Sequence, residues 1–319
     1  MIFRNNDIFP MRQYQHFFYS HGKLLLTGEY FILYGSSGLA LPTVKGQSLT
    51  IYYNNSSKFS GLYWKSFDEI DKLWFEVFFK LPSLDICYET ENKIALRLRD
   101  LLLKSRKIKK KFLQNSLGIY YVKTKLEFPI NWGLGSSSTL INNIAKWAKI
   151  NPYMLLENKF TGSGYDIACV SESRPIIYRL KNKRPHVIPI DFNPPFKDQL
   201  FFLHLNRKQN TCEGIRLFRS KKNVSIKIID TISFITKRIL FCKTLKEFEM
   251  LLIQHERIIS CILDIPTIKE IYFPDYLGIV KSLGAWGGDF VLISYRSGMK
   301  KYFSKKGFHT ILSFDEMIL

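Results

Sequence analysis

The chain has 319 residues, 46% of them hydrophobic and 15% aromatic, and a formal net charge of +20; it is long enough to bury one or two cores, and its composition excludes an intrinsically disordered chain. No apolar window approaches a membrane span, since "DQLFFLHLN" and "RIISCILDIP" are short and polar-flanked, and the opening residues lack the order of a secretory signal. The five cysteines (Cys87, Cys169, Cys212, Cys242, Cys261) show no Cys-x-x-Cys spacing, which argues against a disulfide framework or zinc site and leads to the expectation of a soluble cytoplasmic protein.

In chain order, "KLLLTGEYFILYG", "QSLTIYY", "LYWKSF" and "WFEVFFKL" are rich in β-branched and aromatic residues between Gly, Ser and Asn breaks, and predict strands. In "NKIALRLRDLLLK", Ile94, Leu98, Leu101 and Leu102 share one helical face. The run "KSRKIKKKF" (104–112) that follows invites a nucleic-acid reading. Lys, Ile, Asn, Phe and Tyr are abundant throughout, however, so the run is read as a solvated turn at a helix end, and nucleic acid is set aside. The surplus charge can still steer anionic small molecules.

"GIYYVKTKLEFPI" returns to a strand, and Leu140, Ile144 and Ala148, flanked by Ile141 and Ala145, predict a helix from about Ser137 to Lys149. Around "IDFNPPFKDQL" (190–200) paired prolines break the pattern and mark a domain boundary, giving domains 1–195 and 196–319. Beyond it Leu245, Phe248, Leu252, His255, Ile259 and Ile262 form a helical stripe that opens on a Thr244/Glu247 capping box, with His255 read as a core histidine. "SLGAWGGDFVLISYR" turns a glycine-rich loop into an apolar strand, and "HTILSFDEMIL" is open to a further one. Strands and helices mix without regular alternation, which predicts two α+β domains.

The stretch "NWGLGSSSTL" sets two glycines and three serines directly before a helix. Unpartnered amides and the positive end of the helix dipole attract phosphate there, glycines admit close approach, and a serine hydroxyl can ligate Mg²⁺. Taken alone, an ordinary serine N-cap accounts for the motif equally well. No lysine follows the second glycine as in a Walker loop, so a cation must come from elsewhere. "HGKLLLTGEYFILYG" supplies Lys23 and Glu29, and "TGSGYDIAC" supplies Asp166. Singly, Lys23 also reads as a strand-edge lysine and Asp166 as a cap. Jointly they complete a phosphoryl-transfer site: cradle, metal, cation and a group to orient the attacking oxygen.

With these segments in order, the sequence resembles the GHMP kinases, the superfamily of galactose, homoserine, mevalonate and phosphomevalonate kinases. "SHGKLLLTGEYFILYG" resembles their N-terminal motif, "FPINWGLGSSSTL" their phosphate-binding loop and "KSLGAWGGDFVLIS" their C-terminal glycine motif. The resemblance implies an N-terminal α+β domain joined to a ferredoxin-like C-terminal domain, an active site in the cleft between them, and ATP with Mg²⁺ as cofactors. It makes Lys23 the lysine that stabilises charge near the reacting oxygen and Asp166 the carboxylate that takes or orients the acceptor proton. Gly133, Leu134, Gly135, Ser136 and Ser138 would line the phosphates, and Ser137 would ligate Mg²⁺. Glu157 is the nearest candidate for the second metal ligand, closer to Asp166 than in mevalonate kinases. Glu29, Gly164, Gly284, Ala285 and Asp289 are expected around the acceptor.

"GEY" in place of Gly-Glu-His, the form of "GSGYDIACVSESRPIIYRL" and the "GGD" at 287–289 are similar to phosphomevalonate kinase. The implied activity is transfer of the ATP γ-phosphoryl group to phosphomevalonate or mevalonate in isoprenoid precursor synthesis. Another small alcohol, diphosphomevalonate decarboxylation, a non-catalytic GHMP-fold binding protein and a homodimer stay open. Trp286 stands where the family's last motif has glycine; either the loop is reshaped there, or the indole narrows the cleft and the substrate differs, or the indole is a packing aromatic at the start of a strand.

Overall fold

The computed structural model describes residues 15–57, 59–115, 117–156, 162–207, 211–221, 224–284 and 286–319. Its first half runs β1 (Gln15–Thr27), β2 (Gly38–Asn54), β3 (Ser60–Phe67), β4 (Leu73–Lys80), β5 (Asp85–Glu89), α1 (Asn92–Ile108), β6 (Gly118–Leu126) and α2 (Ser136–Ala148). Then come α3 (Tyr165–Ser171), β7 (Ile176–Lys181), β8 (Arg184–Pro189), β9 (Leu200–His204), α4 (Thr211–Ser220), α5 (Ile226–Ile239) and α6 (Leu245–Leu263). The chain ends in α7 (Ile268–Tyr272), β10 (Val280–Ser282), β11 (Phe290–Ser294), α8 (Met299–Lys305), β12 (Ile311–Ser313) and α9 (Phe314–Met317). The fold is α+β, as the mixed pattern predicts.

Packing divides the described residues into two compact units interleaved along the chain. One comprises 15–20, Gly46–Ile130 and 136–156; the other comprises His21–Lys45, Asn131–Gly135 and 162–319. The proline-rich break near 195 lies within the second unit.

In the first unit the strand order is β5-β4-β3-β6-β2, with β3 and β6 parallel and the other pairs antiparallel. Alternation along β4 turns Phe75, Val77 and Phe79 inward. Leu98 and Leu102 of α1 and Ile144, Ala145 and Ala148 of α2 pack against them in one apolar cluster. Helix α1 outlasts the predicted turn: the basic run is helical as far as Ile108, and its remaining lysines are exposed.

In the second unit, residues 38–40 of β2 pair antiparallel with β7, which pairs antiparallel with β8. A separate antiparallel sheet has the order β10-β11-β9-β12. Leu203, Val291 and Ile293 of that sheet pack against Phe273, Met299 and Phe303. A further cluster joins Phe31 with Phe218 of α4, Ile232 of α5 and Ile259 and Leu263 of α6. Helix α6 buries Phe248, Leu252, His255 and Ile259 of the predicted stripe. Its cap is half of the expected box: Thr244 accepts from the Glu247 amide, while the Glu247 carboxylate accepts from the Lys243 amide rather than that of Thr244. Among the described residues no helix is long and apolar enough to cross a membrane.

Candidate active site

The predicted strand "KLLLTGEYFILYG" is a strand only as far as Thr27; a turn and a short 3-10 helix at Phe31–Tyr34 follow. The strand part carries Lys23, and the loop before α2 is stitched onto it twice. The Lys23 amide donates to Leu134 O at 2.9 Å, and its ammonium donates to Gly133 O at 2.9 Å. Gly133 has φ +67°, and a Cβ there would stand 2.3 Å from the Asp289 carboxyl carbon, so the position requires glycine both for its backbone angle and for its neighbour. Gly135, at φ +90°, backs onto the Lys23 stem. Leu134 is buried and offers the site its backbone alone.

Asp166 lies in the first turn of α3, behind Gly164 in the left-handed conformation. The Lys23 ammonium stands 5.9 Å from the centre of the Tyr165 ring. Burial pushes the Cys169 thiol up, the Lys23 charge opposes that shift and Asp166 adds to it, so the ammonium and the carboxylate act on one thiol. The Tyr165 phenol is likewise raised far above its ordinary value by burial, then by Asp166, Cys169, Glu29 and Asp289. Lys23, Gly133, Leu134, Gly135, Gly164, Asp166 and Asp289 are thus gathered in the second unit, around Tyr165. Asp289, at φ +52°, is itself held by its backbone, which donates to Arg207 O and accepts from the Leu205 amide.

Glu29 is placed otherwise. It is 1% exposed, and its carboxylate points inward: Oε1 lies 2.6 Å from Lys281 Nζ and Oε2 3.3 Å from His255 Nε2. Lys281, on β10, lies 3.2 Å from Glu256 as well. His255 Nε2 accepts the Gly28 amide at 2.9 Å, so its proton sits on Nδ1, which is buried without a partner. His255 is therefore buried as expected, but only half satisfied. Lys281 and Glu256 were not legible as site residues, because a lysine in "IVKSL" reads as an edge lysine and Glu256 is one of three acids on a helix read for its apolar stripe.

Tyr30, next to Glu29, has φ +61° and ψ −42°, a conformation that costs a non-glycine residue about 1–3 kcal/mol. Its hydroxyl accepts the Trp286 amide at 2.8 Å. Trp286 is 5% exposed and packs with Phe31, Ile215 and Phe218, which answers the departure from glycine: the indole fills a core, and the left-handed angles fall at Gly284 and Gly287 instead. A Cβ on Gly284 would meet open space. Ala285 and Glu157 lie outside the described residues.

Ser136, Ser137 and Ser138 form the first turn of α2, one residue from the predicted start. Ser137 is exposed and Ser138 is buried. A neutral polar face, unread in the sequence, fixes this helix. Thr139 donates to Gln47 Oε1 at 2.7 Å, Asn142 to Ser20 at 2.9 Å, Ser20 to Asn143 at 2.7 Å, and Asn143 to Gln47 O at 2.9 Å. Threonine and asparagine at positions i, i+3 and i+4 were its only sequence signal.

No protein-family model and no curated protein sequence matches the chain. Solved structures do. Mevalonate kinase of Methanococcus jannaschii is 17% identical with a TM-score of 0.65, over 92% of this chain and 95% of that one. Phosphomevalonate kinase of Streptococcus pneumoniae, solved with phosphomevalonate and AMPPNP, is 14% identical with a TM-score of 0.65, over 91% and 95%. Galactokinase of Lactococcus lactis, solved with galactose, is 12% identical with a TM-score of 0.62, over 92% and 88%. At such identities the likeness is one of fold, and the chain shares the fold of these small-molecule kinases.

Proposed function

We propose that this protein is an ATP-dependent small-molecule kinase whose acceptor is phosphomevalonate or mevalonate. The observation that carries the reading is the double attachment of Lys23 to the Gly133–Gly135 loop, which sets a cation beside a glycine-lined loop in the unit that also holds Asp166. The loop amides bind the polyphosphate. The exposed Ser137 hydroxyl fits a Mg²⁺ that takes most of its ligands from phosphate and water; among the described residues no group of three or more His, Cys, Asp or Glu competes for it. Bound Mg²⁺ would neutralise phosphate charge. Lys23 stabilises charge at the transferring group, and Asp166 accepts the acceptor proton or orients the attacking oxygen as the new P–O bond forms and the bond to ADP breaks.

The acceptor hints lie in "GEY", "GSGYD" and "GGD", and the cationic surplus suits an anionic acceptor. The test is Mg²⁺-dependent ADP release with mevalonate, phosphomevalonate, homoserine and galactose offered in parallel. Turnover with phosphomevalonate or mevalonate supports the reading and separates the two steps. Turnover with homoserine or galactose moves the acceptor, and silence with all four rejects the reading.

A further inference from the structure

We propose that Lys281 and Glu29 are positioning residues of this site: their buried pair holds the Gly28–Tyr30 turn that directly follows the strand carrying Lys23, and Glu29 does not bind the acceptor. The inference rests on the kinase reading above and departs from the expectation that Glu29 lines the acceptor.

Both Glu29 oxygens are turned inward at 1% exposure: Oε1 pairs with Lys281, and Oε2 lies 3.3 Å from His255 Nε2 without a hydrogen-bond donor. Lys281 Nζ is surrounded by Glu29 Oε1 at 2.6 Å, Ser282 O at 2.5 Å and Glu256 Oε1 at 3.2 Å. Three elements are joined in this way: the turn after β1, helix α6 and strand β10. The same turn is held from α6 by His255, which accepts the Gly28 amide, and from the last glycine motif by the Trp286 amide on Tyr30. A strained backbone such as that of Tyr30 persists only where its surroundings over-determine it, and such residues cluster at working sites. The turn is also electrically near the chemistry, since the Glu29 charge acts on both the Tyr30 and Tyr165 phenols.

Holding a turn does not by itself call for charge. One ammonium faces two carboxylates here, and burial raises both acids, Glu29 to about 7. Replacing a buried ionic cluster by uncharged groups is often neutral or stabilising, so the cluster is an expensive way to obtain stability alone. Its geometry is what the site uses.

The test is a double-mutant cycle. Glu29→Gln keeps the shape and an oxygen for Lys281; the melting temperature at pH 8 is expected to hold or rise, while kcat falls by about tenfold or more with acceptor KM little changed. A purely structural role would move stability and turnover together. Lys281→Met should share the loss of kcat and lower the melting temperature. Glu29→Gln with Lys281→Met should recover part of the melting temperature with no further loss of kcat. An increase in acceptor KM at unchanged kcat in Glu29→Gln, or losses that multiply in the double variant, would overturn the proposal. If Lys281→Met alone fails to fold, the Glu29→Gln single and the double variant still decide it. Amide exchange across Gly28–Tyr34 needs no acceptor: faster local exchange in Glu29→Gln supports the clamp and unchanged exchange overturns it, even if every acceptor fails and the kinase reading falls.

Discussion

Among the described residues of the first unit, the polar side chains that packing removes from water are all neutral, Ser20, Gln47, Thr139, Asn142 and Asn143 among them, whereas the second unit buries Glu29, His204, His255, Glu256 and Lys281. The neutral set forms a connected network of hydrogen bonds that fixes helix α2 in direction and register at a modest desolvation cost. The charged set lies beside a strained turn and leaves His255 Nδ1 without a partner. Scaffold polarity is thus satisfied and cheap, while the polarity near the glycine motifs is costly. Groups of the second kind are where function is expected to outweigh stability.

Removing charge from the two layers of the second unit should separate chemistry from architecture. Lys23→Met and Asp166→Asn act on the chemistry and should lower kcat by about 10²–10⁴ while the fold and ADP affinity of Asp166→Asn survive. Steady-state kinetics beside ADP titration checks this, and near-full turnover in either variant would remove its assigned role. Lys281→Met acts on the architecture: it leaves two buried carboxylates without their cation and should cost about 3–5 kcal/mol in urea denaturation. A loss below 1 kcal/mol would put the buried charges on the same footing as the neutral network and break the contrast.

What could be read in advance depended on range. The stripe of α6 and the start of α2 were legible because both follow from spacing within one element. Lys23, the Gly133–Gly135 loop and Asp166 were singled out from glycine motifs, and the structure brings them together in one unit. Lys281 was invisible because its partner Glu29 is 252 positions away, and no local pattern marks a lysine between a valine and a serine on a short strand. The polar face of α2 was missed for a related reason: the helix is buried on two sides, so its amphipathic stripe describes only one of them. Trp286 could be decided only by packing, because the same residue in the same loop is compatible with a narrowed site or a filled core.

The charged cluster also gives the second unit a pH signature. Burial, opposed by Lys281, raises the Glu29 carboxyl from 4.5 to about 7, so the folded state holds that proton more tightly than the unfolded chain. Its contribution to stability is therefore complete below about pH 4.5 and declines as pH rises through about 7. Glu256, also raised by burial, acts in the same sense. His255 is depressed, first by burial and then by the Lys281 charge, and works in the opposite direction, costing stability as pH falls below 6.5. For Lys281, burial opposes the charge and the two carboxylates more than restore it. Glu29→Gln removes one falling component, so its urea midpoint relative to the unsubstituted protein should climb between pH 5 and pH 8. A flat difference would mean that Glu29 does not change protonation on unfolding in that range.

The smallest effect belongs to the neutral network, and it tests the other half of the contrast. Thr139→Val leaves Gln47 Oε1 buried without its 2.7 Å donor and should cost about 1–3 kcal/mol. Adding Gln47→Leu removes the acceptor too, and because both groups are uncharged the double variant should regain most of that loss; the Asn143 bond to the Gln47 carbonyl is a backbone contact and persists. Paired urea denaturations of the single and double variants measure the recovery. If the double variant stays as unstable as Thr139→Val, the network fixes α2 by a geometry that apolar groups cannot reproduce, and neutral polarity in the first unit is then no cheaper to replace than charge in the second.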